Sequence, residues 1–324
     1  MHRITIYSRC NNSLMKPFFY FVTSIFLFTS CSSDFTFDSN KTLNNYPSGS
    51  GLAYLNDRIY LIGDDATGLL ITDTAFNIVD SIKLFESQQN RIPKELKQDL
   101  EAATIVSINR LPEILLVGSG SLSPNRNNGW LIDPATKQKT QIDLKPFYSR
   151  LKGEGIDALN IEGITTMPGV IVLASRGNKS FAANYLIFTS NGFWEKQDSA
   201  AIKIIKVGTN TDTSFFNGVS GLEYSNLSDQ LLLTVSTENT NSSVQDGAIG
   251  KSYLWIINNI SAKKNMIAIN PNKVIDLEEM DERFKGHKIE SVCIIFENKK
   301  QMELALVADD DKGASILFKV TLKK

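Results

Sequence analysis

The sequence predicts an all-β fold, a single β-propeller of five four-stranded blades closed by a strand from the amino-terminal end. Three observations predict it. Five related segments recur, each opening on Ser or Glu, then a small residue, then two apolar strands separated by a turn. They begin at Ser50, Glu101, Glu162, Ser220 and Glu290, so successive starts lie 51, 61, 58 and 70 residues apart. That is the period of a propeller blade with some long loops. The last unit lacks a fourth strand, and "DFTFDSNKTL" from Asp34 offers one. Six blades, with one degenerate unit, is the competing count. A two-sheet sandwich fits the repeat poorly.

Composition is that of a folded chain. Of 324 residues, 42% are hydrophobic and 21% charged, with a formal net charge of −1. This is too apolar for disorder. A near-neutral chain without a block of basic residues also excludes a non-specific nucleic-acid binder, which needs a basic face.

The amino-terminal stretch "MKPFFYFVTSIFLFTSCSSD" starts at Met15 with one lysine and continues through fourteen uncharged residues, Pro17 to Ser30, before Cys31. This is a signal peptide in length and order, too short for a stable membrane-spanning helix. Residues 1–14 precede it, and the true start is expected at Met15. Phe28-Thr29-Ser30-Cys31 resembles a bacterial lipobox, with Phe28 in place of the usual aliphatic residue. What that implies is cleavage before Cys31, acyl chains carried by that cysteine, and an anchor in the bacterial cell envelope. A plain secretory signal with an incidental cysteine is the alternative. The expected organisation is a signal region over residues 1–30, a lipidated cysteine, tether and closing strand over 31–44, and the propeller over 45–324.

The strands follow in order. After "SGLAYLNDRIYLIGDD" come "GLLITDT" and "IVDSIKLF", divided by a turn at Ala75–Asn77. The second unit runs "EAATIVSINRLPEILLVGSGS", "GWLIDPAT", "KTQIDLKPF", and the third "EGITTMPGVIVLASRGN", "NYLIFTSN", "AIKIIKVG". The fourth is "SGLEYSNLSDQLLLTVSTEN", "YLWIINNI", "NKVIDL"; the fifth is "ESVCIIFENKKQMELALVADDD" and "ASILFKVTL". Cys293 is the body's single cysteine and sits in apolar "SVCIIF", so core packing is expected of it. His287 is the body's single histidine, which excludes a His-rich metal site.

In a propeller the first strand of each blade lines the axial channel, and the second runs back beside it. One face therefore gathers Glu101, Glu162, Ser220 and Glu290 from strand starts. It also gathers Asp64, Asp65, Ser119, Ser175, Arg176, Glu238 and Asp309–Asp311 from strand ends. Loops on a rigid scaffold commonly hold binding residues. The small residues Gly51, Ala102, Gly163, Gly221 and Ser291 let blades approach closely near the axis. The segments "PKELKQDLEAA", "RLKGEGIDALNIEG" and "MDERFKGHKIES" precede channel glutamates, as short helices shading the mouth or as surface loops. The expected ligand site comprises Glu101, Glu162, Ser175, Arg176, Ser220, Glu238, His287, Lys288 and Glu290. A ring of carboxylates also suits Ca²⁺, with Glu162, Glu290, Asp309 and Asp310 as the metal candidates. Strand capping is the structural alternative at each position.

The Glu-small and Ser-small starts in "NIEGI", "VSGLEY" and "HKIESV" resemble extracytoplasmic propellers of the phytase-like (esterase-like) group and those described as SdiA-regulated. "FKGHKIES" and "VADDDKG" are similar to a bacterial propeller family described only as a domain of unknown function. The resemblance implies a propeller, calcium dependence and hydrolase activity. Two functions follow as expectations. One is an anchored binding propeller taking a cation, a small polar ligand or a protein partner at the mouth. The other is a calcium-assisted esterase or phosphoesterase, with Glu162, Glu290 and Asp309 as metal ligands or bases and Arg176 and Lys288 steadying charge.

Overall fold

The computed structural model of the chain describes residues 34–87, 91–208, 216–239, 248–309 and 313–324. After β1 (Phe35–Leu43), blade 1 is β2 (Gly49–Leu55), β3 (Arg58–Gly63), β4 (Gly68–Thr72) and β5 (Ile78–Lys83). Blade 2 is β6 (Leu100–Ile108), β7 (Leu111–Gly118), β8 (Asn128–Ile132) and β9 (Lys139–Asp143). Blade 3 is β10 (Ile161–Met167), β11 (Val170–Ser175), β12 (Asn184–Ser190) and β13 (Ile202–Val207). Blade 4 is β14 (Phe216–Ser225), β15 (Gln230–Asn239) and β16 (Ala248–Asn258); its outermost strand comes after a short excursion. In that excursion β17 (Ala268–Ile269) lies parallel to Lys206 and Val207 and extends blade 3, and β18 (Lys273–Asp276) then completes blade 4. Blade 5 is β19 (Lys288–Glu297), β20 (Gln301–Asp309) and β21 (Ser315–Lys323), and its fourth strand is β1.

The ring closes as the strand count requires. β1 pairs antiparallel with β21 from Phe35↔Leu322 to Leu43↔Ser315, so one blade is built from both ends of the described chain. β1 covers the outer edge of β21, which would otherwise present unpaired backbone groups. Ser315 latches the joint: its hydroxyl donates to the Tyr46 carbonyl at 2.8 Å and accepts from the Gly49 amide at 2.9 Å. With five sheets joined this way, a sixth blade is excluded.

Five apolar cores lie between neighbouring blades, and strand alternation explains them. In β7, Ile114 and Leu116 face blade 1 while Leu115 and Val117 face blade 3. In β20, Leu304 and Leu306 face blade 4 while Ala305 and Val307 face blade 1. Both faces of these strands are buried, so their sequences are apolar throughout. Cys293 is 1% exposed in the core between blades 5 and 1.

Two strands stop earlier than the sequence suggests. "KTQIDLKPF" ends as a strand at Asp143, and α1 (Lys145–Gly153) starts there, with the Asp143 carboxylate accepting from the Lys145 amide at 2.9 Å. Pro146 sits in the first turn, where a missing N–H costs nothing. Phe147, Tyr148 and Leu151 of α1 fill the core between blades 2 and 3 at its mouth end. "NKVIDL" likewise ends at Asp276, whose carboxylate accepts from the Glu278 and Glu279 amides and starts α2 (Leu277–Met280). Among the described residues no helix is long and apolar enough to cross a membrane.

Candidate functional site

All five inner strands carry a register shift at the same place. It falls between Gly49 and Gly51, Leu100 and Ala102, Ile161 and Gly163, Val219 and Gly221, and Ile289 and Ser291. The residue bulged out of each ladder is therefore Ser50, Glu101, Glu162, Ser220 or Glu290, the recurrent residue of the sequence. A bulge leaves one residue unpaired and re-aims its side chain. The small residue that follows explains how the strands fit together. A Cβ on Gly51 would lie 3.1 Å from the Ala102 backbone, one on Gly163 2.9 Å from the Leu222 nitrogen, and one on Gly221 2.7 Å from Ser291 Cα.

The bulged residues divide into two kinds. The serines bind backbone of the next blade: Ser50 Oγ donates to the Leu100 carbonyl at 2.7 Å and Ser220 Oγ to the Ile289 carbonyl at 2.6 Å. Each accepting residue immediately precedes a bulged glutamate, so the serines tie the acids' strands in place. Glu162 and Glu290 are 9% and 8% exposed.

Each acid has a polar neighbour two residues earlier. Asn160 Nδ2 donates to Glu162 at 2.5 Å, and Lys288 Nζ stands 3.0 Å from Glu290. Asp99 precedes Glu101, and Lys97 precedes both, with its ammonium 2.8 Å from Asp99 and in contact with Asp64. Arg126 Nη1 lies 2.7 Å from the other Asp99 oxygen, to which Ser119 also donates. In blade 1 the equivalent residue is Ser48, which accepts from Arg91 at 3.2 Å while Arg91 pairs with Asp65 at 2.6 Å. In blade 4 it is Gly218, and Arg176 fills the gap. A Cβ on Gly218 would sit 2.5 Å from Arg176 Nε, so the guanidinium of blade 3 crosses to blade 4 only over a glycine. Arg176 is 6% exposed and acts electrostatically on Glu290, as Glu162 does.

Burial raises the Glu101 carboxyl well above the ordinary range, and the negative charges of Asp99, Glu162 and Asp64 add to this against Lys97. Burial works against the Lys97 ammonium, yet Asp64, Asp99 and Glu101 outweigh it and raise its pKa. Glu290 is pushed up to about 7 by burial, offset by Lys288, raised by Glu162 and lowered by Arg176. On β14, burial lifts Glu223 to about 8.

These shifts carry a sign for stability. Folded Glu290 holds its proton to about pH 7, against 4.5 for a free glutamate. Its contribution is most favourable below the lower value and falls as pH rises through the upper one. The unfolding midpoint should therefore drop from about pH 5 to about pH 8, and Glu290→Gln should flatten part of that drop. A thermal melt series in matched ionic strength checks it; an unchanged slope would refute the assignment.

The sequence-derived site is distributed as follows. Glu101, Glu162, Ser220, Glu290, Arg176 and Lys288 come together around the axis. Ser175 closes β11, where its hydroxyl accepts from the Asn160 amide at 3.3 Å. Asp309 ends β20 opposite Lys288 and acts electrostatically on Arg91. Glu238 pairs in register with Phe216 at the end of β15. His287 has its ring 5.7 Å from that of Phe318. Asp310, Asp311 and Cys31 lie outside the described residues. Lys97, Asp99, Arg126 and Asn160 were not foreseen. The first two lie in "PKELKQDLEAA", and the alternation Lys97, Asp99, Glu101 is the signal that marks them, as is Asn160 before Glu162.

Among the described residues, Asp64, Asp99 and Glu101 bring carboxylate oxygens within 4.8 Å of one another. Lys97 already contacts the first two, so a fixed ammonium sits where a bound cation would be compensated. Ca²⁺ takes six to eight oxygens, more than these three side chains supply on their own.

Fold and site together define a five-bladed β-propeller with a ring of bulged acids at one mouth. The chain belongs to the family described as "Family of unknown function (DUF6929)", whose model matches residues 45–322. No curated protein matches the chain. Among solved structures it is similar to the glutaminyl cyclase of Myxococcus xanthus at 10% identity and TM-score 0.49, over 90% of this chain and 97% of that one. It is also similar to the native arabinanase of Bacillus subtilis at 11% identity and TM-score 0.48, over 86% and 95%. A streptogramin B lyase aligns at 9% identity and TM-score 0.39, over 87% and 97%. Likenesses this distant carry nothing about activity.

Proposed function

We propose that the chain is an exported propeller, anchored through Cys31 in the bacterial cell envelope, that binds a small polar ligand at its axial mouth. The observation that carries the binding role is the convergence of Glu101, Glu162 and Glu290 from three blades, each on a bulge and each beside a fixed polar partner. Burying so many charges is costly unless they are paired, and here the partners come from three separate loops. Glutamates beside Arg176 and Lys288 favour a ligand with both a positive and a negative group, such as an amino acid or a short zwitterion. Each charge on such a ligand meets a counterpart in a water-poor site. Calcium is the alternative occupant; the Lys97 ammonium among Asp64, Asp99 and Glu101 favours the organic ligand over a bare ion.

Thermal unfolding of residues 34–324 tests this in EDTA, in millimolar Ca²⁺, and with a panel of amino acids and zwitterions. A ligand at 100 times its Kd stabilises by about 2.7 kcal/mol, or on the order of 4 °C or more for a domain of this size. The expected result is a shift with a zwitterion, abolished by Glu162→Gln and by Glu290→Gln. A shift with Ca²⁺ alone would favour the ion. No shift with either would leave the glutamates as structural partners of the cations beside them.

A further inference from the structure

The face opposite the mouth has a different surface. The inner hairpins turn there, and their tips expose Leu111, Leu227 and Phe296 by 65%, 54% and 47%. One exposed apolar residue is ordinary, but these occupy equivalent ends of blades 2, 4 and 5. Blade 5 adds exposed Lys299 and Lys300 in its inner turn and exposed Lys323 at the end of β21, followed by Lys324, whose side chain is 13% exposed. The Lys324 amide donates to the Lys300 carbonyl at 2.9 Å, which sets the two lysine pairs side by side. The neighbouring acids are already engaged: Glu297 with Lys324 at 2.6 Å, and Asp34 with Lys273 at 3.1 Å. Among the described residues no acid pairs with Lys299, Lys300 or Lys323, so the tip of blade 5 is positive.

The chain also enters the fold at this point. The Lys323 amide donates to the Asp34 carbonyl at 2.7 Å, so Asp34, the first described residue, lies beside the lysine cluster; 33 residues precede it in the sequence. Their uncharged run ends one residue before Cys31. Cys31 stands three positions before Asp34 in the sequence, a reach of at most about 10 Å.

We propose that this face rests on an anionic bilayer, with the blade 5 lysines on the headgroups and Leu227 and Phe296 in the interfacial layer. The ligand mouth then opens away from the membrane. Lysines close to an anionic surface are attracted to it, and adjacent apolar side chains add burial at the headgroup boundary. The surface complements the Cys31 anchor without requiring it, because both can be tested apart.

Residues 34–324 hold all five sheets, the closing strand and the five cores, and so fold without the leader. This stretch is sedimented with vesicles of phosphatidylcholine alone, and with vesicles containing phosphatidylglycerol, at low and high salt. Binding to the anionic vesicles is expected at low salt and should weaken as salt screens it. The triple variant Lys299→Glu/Lys300→Glu/Lys323→Glu should lose affinity by about a hundredfold or more, and Phe296→Ser should lose part of it, with melting midpoints near that of the parent. Charge reversal on the mouth side, Lys94→Glu/Lys145→Glu/Lys152→Glu, should leave binding as it was. Failure to sediment with anionic vesicles, or an equal loss from the mouth-side variant, overturns the proposal. Acylation is read separately, by palmitate labelling of the full chain and its Cys31→Ser variant, and its failure would not touch the vesicle result.

Discussion

Asp99→Asn should destabilise the propeller by about 3–5 kcal/mol, the cost of breaking a buried ion pair from one side. Asp99 is 2% exposed and holds two cations, Lys97 at 2.8 Å and Arg126 at 2.7 Å, besides accepting from Ser119. The Arg126 side chain is itself 4% exposed, so water cannot replace the lost carboxylate. Backbone strain does not enter, since Asp99 has φ of 55° and asparagine adopts that region readily. The variant thus isolates the charge. Thermal or urea unfolding measures it, and a midpoint drop of about 10 °C is expected for a domain of this size. Arg126→Met added to Asp99→Asn should recover part of the loss, because it removes the cation whose one carboxylate partner among the described residues was Asp99, whereas Lys97 keeps Asp64. Glu101 should respond too: with the Asp99 charge gone, its carboxyl should move down toward the ordinary range. A loss under about 1 kcal/mol would mean that Asp64 and Glu101 hold both cations on their own.

The same cluster shows what can be seen in a sequence and what cannot. The ring was legible because closing it constrains every repeat alike. Each inner strand needs a small residue where it meets the next, and the second strand of each blade is largely apolar on both faces because a blade packs on either side. The closing strand was legible as a missing fourth strand in the last unit. The bulges were not, since a bulge is a pairing event between two strands and neither strand's composition records it. Lys97 and Asp99 lay in a segment marked as charged, but the pairing of Asp99 with Arg126 depends on the loop before β8 folding back over β6. Arg176 was foreseen at the mouth; its crossing to blade 4 over Gly218 needs the spacing of neighbouring blades. His287 and Lys288 take different neighbours. Neighbours in an extended segment point to opposite sides, so Lys288 meets Glu290 while His287 packs on Phe318.

The ring of small residues makes the second large prediction. Gly221→Val should cost about 3 kcal/mol or more, the upper part of the range for overpacking. The first added carbon alone would lie 2.5 Å from Thr234 Oγ1, 2.7 Å from Ser291 Cα and 2.8 Å from the Glu290 carbonyl. Two of these atoms are backbone of β19, so no rotamer change relieves the clash. β19 can yield only by moving outward, and two bonds resist that movement: Ser220 Oγ donates to the Ile289 carbonyl, and the Leu52 amide donates to Ser291 Oγ at 3.2 Å. The second of these belongs to blade 1, so strain introduced between blades 4 and 5 reaches the next joint of the closed ring. Glu290 sits on the displaced segment, and any ligand affinity at the mouth should fall with stability rather than independently of it. Gly153→Ala is the control. It ends α1, a Cβ there meets nothing within 4 Å, and alanine is the better helix former by up to about 1 kcal/mol. Urea melts of the two variants should therefore move in opposite directions. If Gly221→Val melts with the parent, the inner strands have slack at the axis. The small residue after each bulge would then reflect the demands of the bulge itself and not the contact between blades.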